Sequence, residues 1–288
     1  MSGRVTSADG TAIAYDRAGA GPAVILVGGG AVDRSENAPL AAALAARFTV
    51  FNYDRRGRGA SGDAPPDAAE REIDGERRGA SGDALPHTVR REVEDIAALV
   101  AAAGGSAHVY GVSSGGALAL AAAAAGVAID RLAVYEIPYR VDESWPPRWR
   151  AYVDELGALL AAGRRGDAFA RFMRLAETPE DAIAAARDAP FWPDLELLAP
   201  TLAYDAACLG DGRPPADLLA RVVQPTLVAT GVAAREPGAA QWVKALDAAA
   251  DAVAASLPHG ERAIVDGQGH VPDPQALEPM LTRFFAAG

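Results

Sequence analysis

The sequence predicts an α/β protein, with a mostly parallel central sheet flanked by helices and an inserted helical cap. Two observations support this class. Short segments rich in β-branched and aromatic residues alternate with segments of helical spacing, which is typical of chains that build parallel sheets. Between residues 137 and 223 the spacing is helical and no strand is evident. We therefore predict a core formed by residues 1–136 and 224–288 and a cap formed by residues 137–223.

The predicted strands are short. The first two, at 4–7 and 11–17, are joined by a turn at Asp9-Gly10, and the continuous apolar segment Ala23–Val27 is typical of a strand covered on both faces. The remaining strands are predicted from the same residue types. They are Thr49–Tyr53, Ala107–Val112, 131–135, 226–230 and 262–265.

The helices are predicted from apolar spacing and from residues that favour helix ends. Residues 88–103 carry such a pattern, with Thr88 as the N-cap and Gly104-Gly105 as the stop signal. The other helices follow by the same argument. They are 39–46, an Ala-rich helix from Gly115, 239–256 and Pro274–Ala286 in the core, and 148–162 and 167–176 in the cap.

Composition excludes several classes of protein. The net charge of −11 repels nucleic acid and anionic lipid, and no Lys/Arg stripe offers a local exception. Cys208 is the single cysteine, so an internal disulfide is excluded. The first residues lack the apolar stretch of a signal peptide, and the apolar segment 115–129 is shorter than the roughly 20 residues that span a bilayer. A cytoplasmic location is therefore expected.

One internal repeat is present. Residues 58–74 match residues 78–94 at an offset of twenty, with ten of seventeen positions identical, which indicates a local tandem duplication. Lengthening a loop costs only about 0.6 kcal/mol per doubling, so a tolerated insertion explains the repeat. The alternative is that the extra segment acts as a lid. Unchanged kinetics and substrate range after deletion of residues 59–78 would exclude the lid.

The strongest chemical signal is Gly111-Val112-Ser113-Ser114-Gly115, because it lies between an apolar strand and an Ala-rich helix. A nucleophilic serine requires a sharp strand-to-helix turn, and the flanking glycines remove side chains that would clash there. The positive N-terminus of the following helix favours an oxyanion at the site. Ser113 is the predicted nucleophile.

A serine needs a base to take its proton, and only four histidines are available. His108 lies within a predicted strand, His87 in the duplicated segment and His259 in a polar turn. His270 remains, in a Gly-rich loop before the last helix, where it follows the serine in the chain order expected of this architecture. We predict that His270 is the base.

The chain resembles the α/β-hydrolase superfamily across nearly its whole length. VILVGGG at 24–30 stands where the family has a strand ending in His-Gly, and YDRRGRGASG at 53–62 resembles its Asp-x-Arg-Gly-x-Gly-x-Ser segment. Gly28 departs from the pattern, since the family often has His there. The resemblance implies an oxyanion hole formed by the backbone N–H of Ser114 and that of Gly30 or Gly29.

Members of this family usually have a catalytic triad, in which an acid orients the histidine. The usual position for that acid lacks a carboxylate here, because the loop after strand 226–230 has Ala234 where the family normally has Asp. Glu136 directly follows strand 131–135, at the same sheet edge as Ser113, and some family members place the acid there. Neighbouring strand ends lie roughly 4.8 Å apart, which keeps a carboxylate within reach of His270. We predict Glu136 as the acid and retain Glu236 and Asp266 as alternatives.

Aromatic residues are frequent in the predicted cap, and most are expected to form its core. Phe191-Trp192 follows one helix and precedes another, so we predict that these rings, together with Tyr204, line an apolar or aromatic pocket for the acyl group. No metal-binding motif or phosphate loop is present in the sequence, and we expect no metal or organic cofactor.

These features predict a serine-dependent enzyme that hydrolyses an ester, lactone or thioester of an apolar small molecule through Ser113, His270 and Glu136. One alternative is epoxide opening, cyclisation or lactonisation of a bulky natural product at the same site. Another is a binding protein with a hydrolase fold that has lost its chemistry. The expected partner is a small-molecule substrate, without nucleic acid or membrane, and a homodimer is left open.

Overall fold

The computed structural model describes residues 1–63, 87–231 and 241–287. Within these residues eight strands form one sheet in the order β1-β2-β4-β3-β5-β6-β7-β8. The strands are β1 Ser2–Thr6, β2 Ala12–Ala18, β3 Ala23–Val27, β4 Thr49–Tyr53, β5 Ala107–Val112, β6 Ile129–Tyr135, β7 Thr226–Gly231 and β8 Gly260–Val265.

The sheet is mostly parallel. β2 runs antiparallel to β1 and β4, and every pair from β4 through β3 to β8 is parallel. The predicted fold class is therefore confirmed. Three strands have the predicted bounds, while β1 and β2 are displaced from the prediction by one or two residues, a typical uncertainty at element ends.

Helices connect the strands and cover both faces of the sheet. In the described part of the core they are α1 Ala38–Leu44, α2 His87–Ala102, α3 Ser114–Ala124, α10 Gln241–Ser256 and α11 Pro274–Ala286. Thr88 lies inside α2, so its prediction as an N-cap was wrong: its backbone is already helical. Among the described residues, no helix has the length and apolarity needed to cross a membrane.

Residues between β6 and β7 are all described and contain helices but no strand. The helices are α4 Trp145–Ala161, α5 Arg165–Leu175, α6 Glu180–Arg187, α7 Trp192–Leu198, the short 3-10 helix Ala199–Thr201, α8 Leu202–Leu209 and α9 Ala216–Leu219. α4 begins three residues before the predicted start, since prolines are tolerated in the first helical turn. The exact cap bounds of 137–223 stay a prediction.

The core lies on both faces of the sheet. α3 is apolar all round and almost entirely buried, which explains its Ala-rich sequence. It packs against β5, β6 and the cap helix α8. Buried residues of the cap, such as Trp149 and Leu202, belong to the same hydrophobic cluster as those of the sheet, such as Val109. Cap and sheet therefore share one core.

The strand register places the candidate catalytic residues together at the carboxyl ends of the parallel strands. Val112 lies opposite Tyr135, and Tyr135 lies opposite Ala229, so the residues that follow β5 and β6 leave the sheet side by side. The loop after β3 and the loop after β8 leave at the same edge, because these strands are parallel to β5 and β7. Loops at the carboxyl ends of parallel strands commonly form binding sites.

Gly115 allows α3 to approach the loop after β3. A Cβ atom added to Gly115 would lie 2.3 Å from the Gly28 carbonyl oxygen, a backbone atom that cannot move aside locally. We expect Gly115→Ala to lower the free energy of unfolding by about 1–3 kcal/mol, as overpacking does. Gly157→Ala in α4 is the matched control, since its Cβ would meet nothing within 4 Å.

The control substitution should raise stability by about 0.5–1 kcal/mol, because alanine favours a helix more than glycine does. Urea unfolding of both variants would measure the two effects. If Gly115→Ala were as stable as Gly157→Ala, the proposed close approach of α3 to the loop after β3 would be contradicted.

Candidate active site

Ser113 lies at the turn between β5 and α3, as the sequence predicts. Its φ of 55° and ψ of −129° are rare for a residue with a side chain, and such strain costs about 1–3 kcal/mol. The Ser113 backbone N–H donates to the Tyr135 carbonyl at 2.9 Å, which extends the β5–β6 ladder into the turn. The strained serine is therefore held by the sheet on one side and by α3 on the other.

The loop after β3 lies beside this serine. A Cβ atom added to Gly29 would lie 3.2 Å from the Ser113 Cβ, so only glycine leaves the space around the hydroxyl open. Ser114 is the first residue of α3, where backbone N–H groups have no partner within the helix. Ser113, Ser114, Gly29 and Gly30 all line one cavity. The assignment of these N–H groups to an oxyanion hole stays a prediction.

Glu136 follows β6 and is buried, with 3% of its surface exposed. Its φ of 46° is positive, a backbone conformation that residues with side chains rarely adopt. One carboxylate oxygen accepts from the Gly231 N–H at 2.9 Å, and the other lies 2.9 Å from His270 Nδ1. The structure thus brings together the predicted acid and the predicted base.

His270 is half-buried in the loop after β8. The Tyr135 hydroxyl donates to the carbonyl of the preceding residue, Gly269, at 2.6 Å and so ties this loop to β6. With Glu136 as an acceptor at Nδ1, the neutral ring carries its proton on that nitrogen and leaves Nε2 as an acceptor. His270 and Ser113 line the same cavity.

The sequence left two other candidates for the acid, Glu236 and Asp266. Glu236 lies outside the described residues, as does most of the duplicated segment. Asp266 is exposed in the turn after β8. Of the other histidines, His108 stacks on Phe285 with ring centroids 4.9 Å apart, and burial lowers its pKa, as expected of a core residue.

The cavity has a volume of about 300 Å³ and lies between the sheet edge and the cap. Its wall is mainly apolar and is built largely by cap side chains. They include Trp145, Trp149, Tyr152, Phe172, Leu175 and Leu209. A pocket of this size and character suits a small apolar molecule.

The predicted pocket residues Trp192, Phe191 and Tyr204 do not line this cavity, so that prediction is corrected. Trp192 packs inside the cap against Phe169, with ring centroids 5.9 Å apart, and its indole N–H donates to Glu196. Phe191 is 52% exposed, and the Tyr204 hydroxyl donates to Asp63. Helical spacing identified cap aromatics correctly but did not indicate which of them face the site.

A buried charge network, which the sequence analysis missed, lies behind Ser113. The Arg55 guanidinium donates to both carboxylate oxygens of Glu92, at 2.7 and 2.8 Å, and to Asp205 at 2.8 Å. Arg58 donates to the same oxygen of Asp205 at 2.8 Å. Two cations and two anions meet, so their formal charges cancel.

Asp205 connects this network to the candidate site. It belongs to cap helix α8, yet it accepts from the Ser114 hydroxyl at 2.8 Å and from the Ala31 N–H at 3.2 Å. Burial alone would raise the pKa of the Asp205 carboxyl, but the Arg58 and Arg55 guanidinium groups outweigh it and lower that pKa. The ionised carboxylate thus ties the cap to the first residue of α3.

The network also involves both ends of the duplicated segment. Arg58 belongs to the first copy and Glu92 to the second, and both are buried. Arg58 and Glu92 therefore contribute to the core, while the interpretation of the extra segment as a tolerated insertion concerns residues 64–86, outside the described residues, and stays a prediction. The lid hypothesis concerns residues outside the described part and stays a prediction.

We expect Asp205→Asn to lower the free energy of unfolding by about 3–5 kcal/mol at neutral pH, because two buried arginines would then face one carboxylate. The pKa of Asp205 is lower in the folded chain, so its ionised form stabilises the fold above the ordinary pKa of about 4. The difference in the free energy of unfolding between the variant and the unsubstituted protein should therefore become smaller as the pH falls below that value. Denaturant unfolding at several pH values would measure it.

Asp167→Asn is the matched control for this prediction. Asp167 also pairs with two arginines, Arg164 and Arg187, but at the cap surface, where such pairs contribute about 1 kcal/mol or less. An equal loss of stability in both variants would show that the buried network contributes no more to stability than the surface ion pairs do.

Comparisons with known proteins agree with this architecture. The model of the alpha/beta hydrolase family matches residues 19–279. An alpha/beta hydrolase from Sphaerobacter thermophilus DSM 20745 is 43% identical, with a TM-score of 0.80, and the alignment covers 99% of this chain and 100% of that one. The comparison with curated proteins returned no match.

Two further solved structures share the fold at lower identity. A hydrolase from Pseudomonas aeruginosa PA01 is 22% identical with a TM-score of 0.66, and the alignment covers 99% of this chain and 98% of that one. An esterase from Rhodococcus sp. ECU1013 is 21% identical with a TM-score of 0.63 and the same coverage. With its matched family model, its sheet order and its serine turn, the chain belongs to the alpha/beta hydrolase family.

Proposed function

We propose that the protein is a serine-dependent hydrolase that cleaves an ester, lactone or thioester of a largely apolar small molecule. The observation that carries this proposal is the contact of 2.9 Å between His270 Nδ1 and Glu136, at the edge of a cavity that Ser113 also lines. A strained serine and a base at one cavity, with an acid in contact with that base, are the groups that acyl transfer requires.

The reaction would proceed in two steps. In the first, Ser113 Oγ attacks the substrate carbonyl while its proton passes to His270 Nε2, and the His270 imidazolium then protonates the leaving alcohol or thiol. Glu136 stabilises the imidazolium and holds the tautomer. In the second, water gives a proton to His270 and attacks the acyl-serine, which releases the acid and restores the hydroxyl.

The negative charge that develops on the carbonyl oxygen needs hydrogen-bond donors that are already in position before the reaction begins. The N–H of Ser114 and that of Gly30, or of Gly29, would supply them, supported by the positive end of α3. The buried network helps here, because Asp205 binds both the Ser114 hydroxyl and the Ala31 N–H and so joins the two segments that carry these donors. The proposed reaction uses no metal or organic cofactor.

A fluorophosphonate probe, followed by intact mass and peptide mapping, tests the proposal. We expect one adduct per chain, located on Ser113, and no adduct on the Ser113→Ala variant. Absence of labelling in the folded protein would favour a ligand-binding protein without chemistry. Labelling without turnover of any 4-nitrophenyl ester, lactone or thioester would instead favour epoxide opening or lactonisation by the same residues.

A further inference from the structure

Three successive glycines, Gly28–Gly30, begin the loop after β3, which carries one of the two proposed oxyanion donors. Glycine adopts many backbone conformations without strain, so each peptide group in such a run can rotate unless a neighbouring group holds it. Within the described part of the chain, the Gly30 N–H has no hydrogen-bond acceptor. The direction of this N–H is therefore set by whatever holds the carbonyl of the same peptide group.

That carbonyl, of Gly29, is held by two buried arginines. Arg58 donates to it at 2.6 Å, and Arg55 donates to it at 3.3 Å. The preceding carbonyl, of Gly28, has only the longer contact, also with Arg55 at 3.3 Å. Both arginines are charged donors with 1% or less of the side chain exposed, and charged donors form bonds roughly twice as strong as neutral ones do. The Gly29 carbonyl is therefore firmly held.

The arginines are themselves fixed by the cap. Arg55 and Arg58 each donate to the same oxygen of Asp205, at 2.8 Å, and the other oxygen of Asp205 accepts from the Ala31 N–H at 3.2 Å. The φ of Ala31 is 51°, a conformation that residues with side chains rarely adopt. The peptide groups on both sides of Gly30 are thus bound to one buried network.

The geometry of the peptide group gives this arrangement a direction. A trans peptide group directs its N–H opposite to its carbonyl, and the peptide bonds of the described chain are trans. Because the Gly29 carbonyl points to Arg58, the Gly30 N–H points away from that arginine. The cavity wall includes Gly30 and Ser113 but not Arg58, which is buried behind the loop. The Gly30 N–H is therefore directed to the side where an oxyanion formed at Ser113 would lie.

We propose that Arg58, supported by Arg55, is a positioning residue for the oxyanion hole. By holding the Gly29 carbonyl it keeps the Gly30 N–H directed into the cavity, so that Gly30, and not Gly29, supplies the second donor beside Ser114. This inference rests on the proposed function and deepens it, since it assigns the donor and the side chains that hold it. A donor that is already in place stabilises the transition state without reorganisation during the reaction.

Arg58→Gln tests the proposal by kinetics. Loss of one oxyanion donor costs about 10²- to 10³-fold in kcat, so loss of its positioning should lower kcat for 4-nitrophenyl hexanoate by about tenfold or more. KM should change by less than about threefold, because the donor acts mainly on the transition state. Arg56→Gln is the matched control, since Arg56 is similarly buried but pairs with Asp95 and Asp9. An equal fall of kcat in both variants would contradict a specific role of Arg58.

A transition-state analogue separates the oxyanion hole from general damage to the fold. Hexyl trifluoromethyl ketone adds reversibly to a nucleophilic serine and places an oxyanion in the hole, whereas hexyl methyl ketone binds without this addition and reports on the pocket alone. By titration calorimetry, Arg58→Gln should lower the ratio of the two affinities by about tenfold or more. Arg58→Lys should lower it less, because lysine keeps a charged donor, and Arg56→Gln should leave it unchanged.

An unchanged affinity ratio in Arg58→Gln would overturn the proposal. If this variant does not fold, the double variant Arg58→Gln/Asp205→Asn takes its place in every comparison. The double variant removes one positive and one negative charge together, so the buried network stays neutral.

Crystal structures of the unsubstituted protein and of the Arg58→Gln variant distinguish this inference from the proposed hydrolysis. We expect the peptide group between Gly29 and Gly30 to be rotated, or to adopt more than one orientation, in the variant alone. If this is found but the unsubstituted protein hydrolyses no ester, the positioning of Gly30 stands and the proposed function fails. If esters are hydrolysed while the peptide group and the affinity ratio are unchanged in the variant, the function stands and the positioning role fails.

Discussion

Replacement of Ser113 with alanine should reduce kcat for 4-nitrophenyl hexanoate by roughly 10⁴- to 10⁶-fold, the loss expected when a nucleophile acting with its base is removed. The loss should appear in kcat, because the hydroxyl reacts with the carbonyl and contributes little to ground-state binding. Alanine also keeps the backbone N–H groups of the turn. Steady-state kinetics and the melting temperature, measured together, would show whether the loss is chemical.

Ser114→Ala is the sharpest control, because two serines stand side by side in the turn. Ser114 Oγ donates to Asp205, so its side chain belongs to the buried network. Loss of that hydroxyl should lower stability by about 1–3 kcal/mol, since a hydrogen bond to a charged group is removed, and kcat should fall by roughly tenfold or less. If Ser114→Ala abolished turnover and Ser113→Ala did not, the nucleophile would be misassigned.

Glu136→Gln should reduce kcat by about 10³- to 10⁴-fold. Glutamine has nearly the shape of glutamate, and its carbonyl can still accept from the Gly231 N–H. Its amide N–H₂, however, would face His270 Nδ1 and favour the tautomer with the proton on Nε2, which cannot take the Ser113 proton. The rate of fluorophosphonate labelling should fall in parallel with kcat.

Glu236→Gln and Asp266→Asn are the controls for this assignment, since they are the other acids that the sequence leaves open. Each should retain kcat within about threefold if Glu136 alone holds the imidazole, because neither of these carboxylates would then take part in the proton transfer. Full turnover in Glu136→Gln together with loss of turnover in Glu236→Gln would make Glu236 the acid. Melting temperatures of all three variants would exclude unfolding as the cause.

Most of the fold could be predicted because the relevant signals are local. Segments such as Ala23–Val27 and Ala107–Val112 have the predicted bounds, since a strand covered on both faces is mostly apolar along its length. α11, Pro274–Ala286, also has the predicted bounds, and its N-cap Asp273 accepts from the Gln275 N–H. Helix starts without such a cap, as at α4, were predicted less well.

The candidate triad could be predicted in part for a topological reason. Ser113 and Glu136 directly follow two strands, and parallel strands that are neighbours in the sheet bring their carboxyl ends together. Chain order and elimination among four histidines then indicated His270. The contact between Glu136 and His270 joins residues 134 positions apart, and Glu136 makes it with a positive φ that no residue type in the sequence specified.

The sequence by itself determined the α/β class, the parallel sheet, the helical insertion and the serine turn, because hydrophobic periodicity and turn residues act over a few neighbouring positions. Only the tertiary structure decided which cap residues line the cavity, how Arg55 and Arg58 pair with Glu92 and Asp205, and which carbonyl Arg58 binds in the loop after β3. These contacts join residues up to 150 positions apart in the chain. Such contacts depend on how the whole core packs, and a local sequence pattern contains no information about that packing.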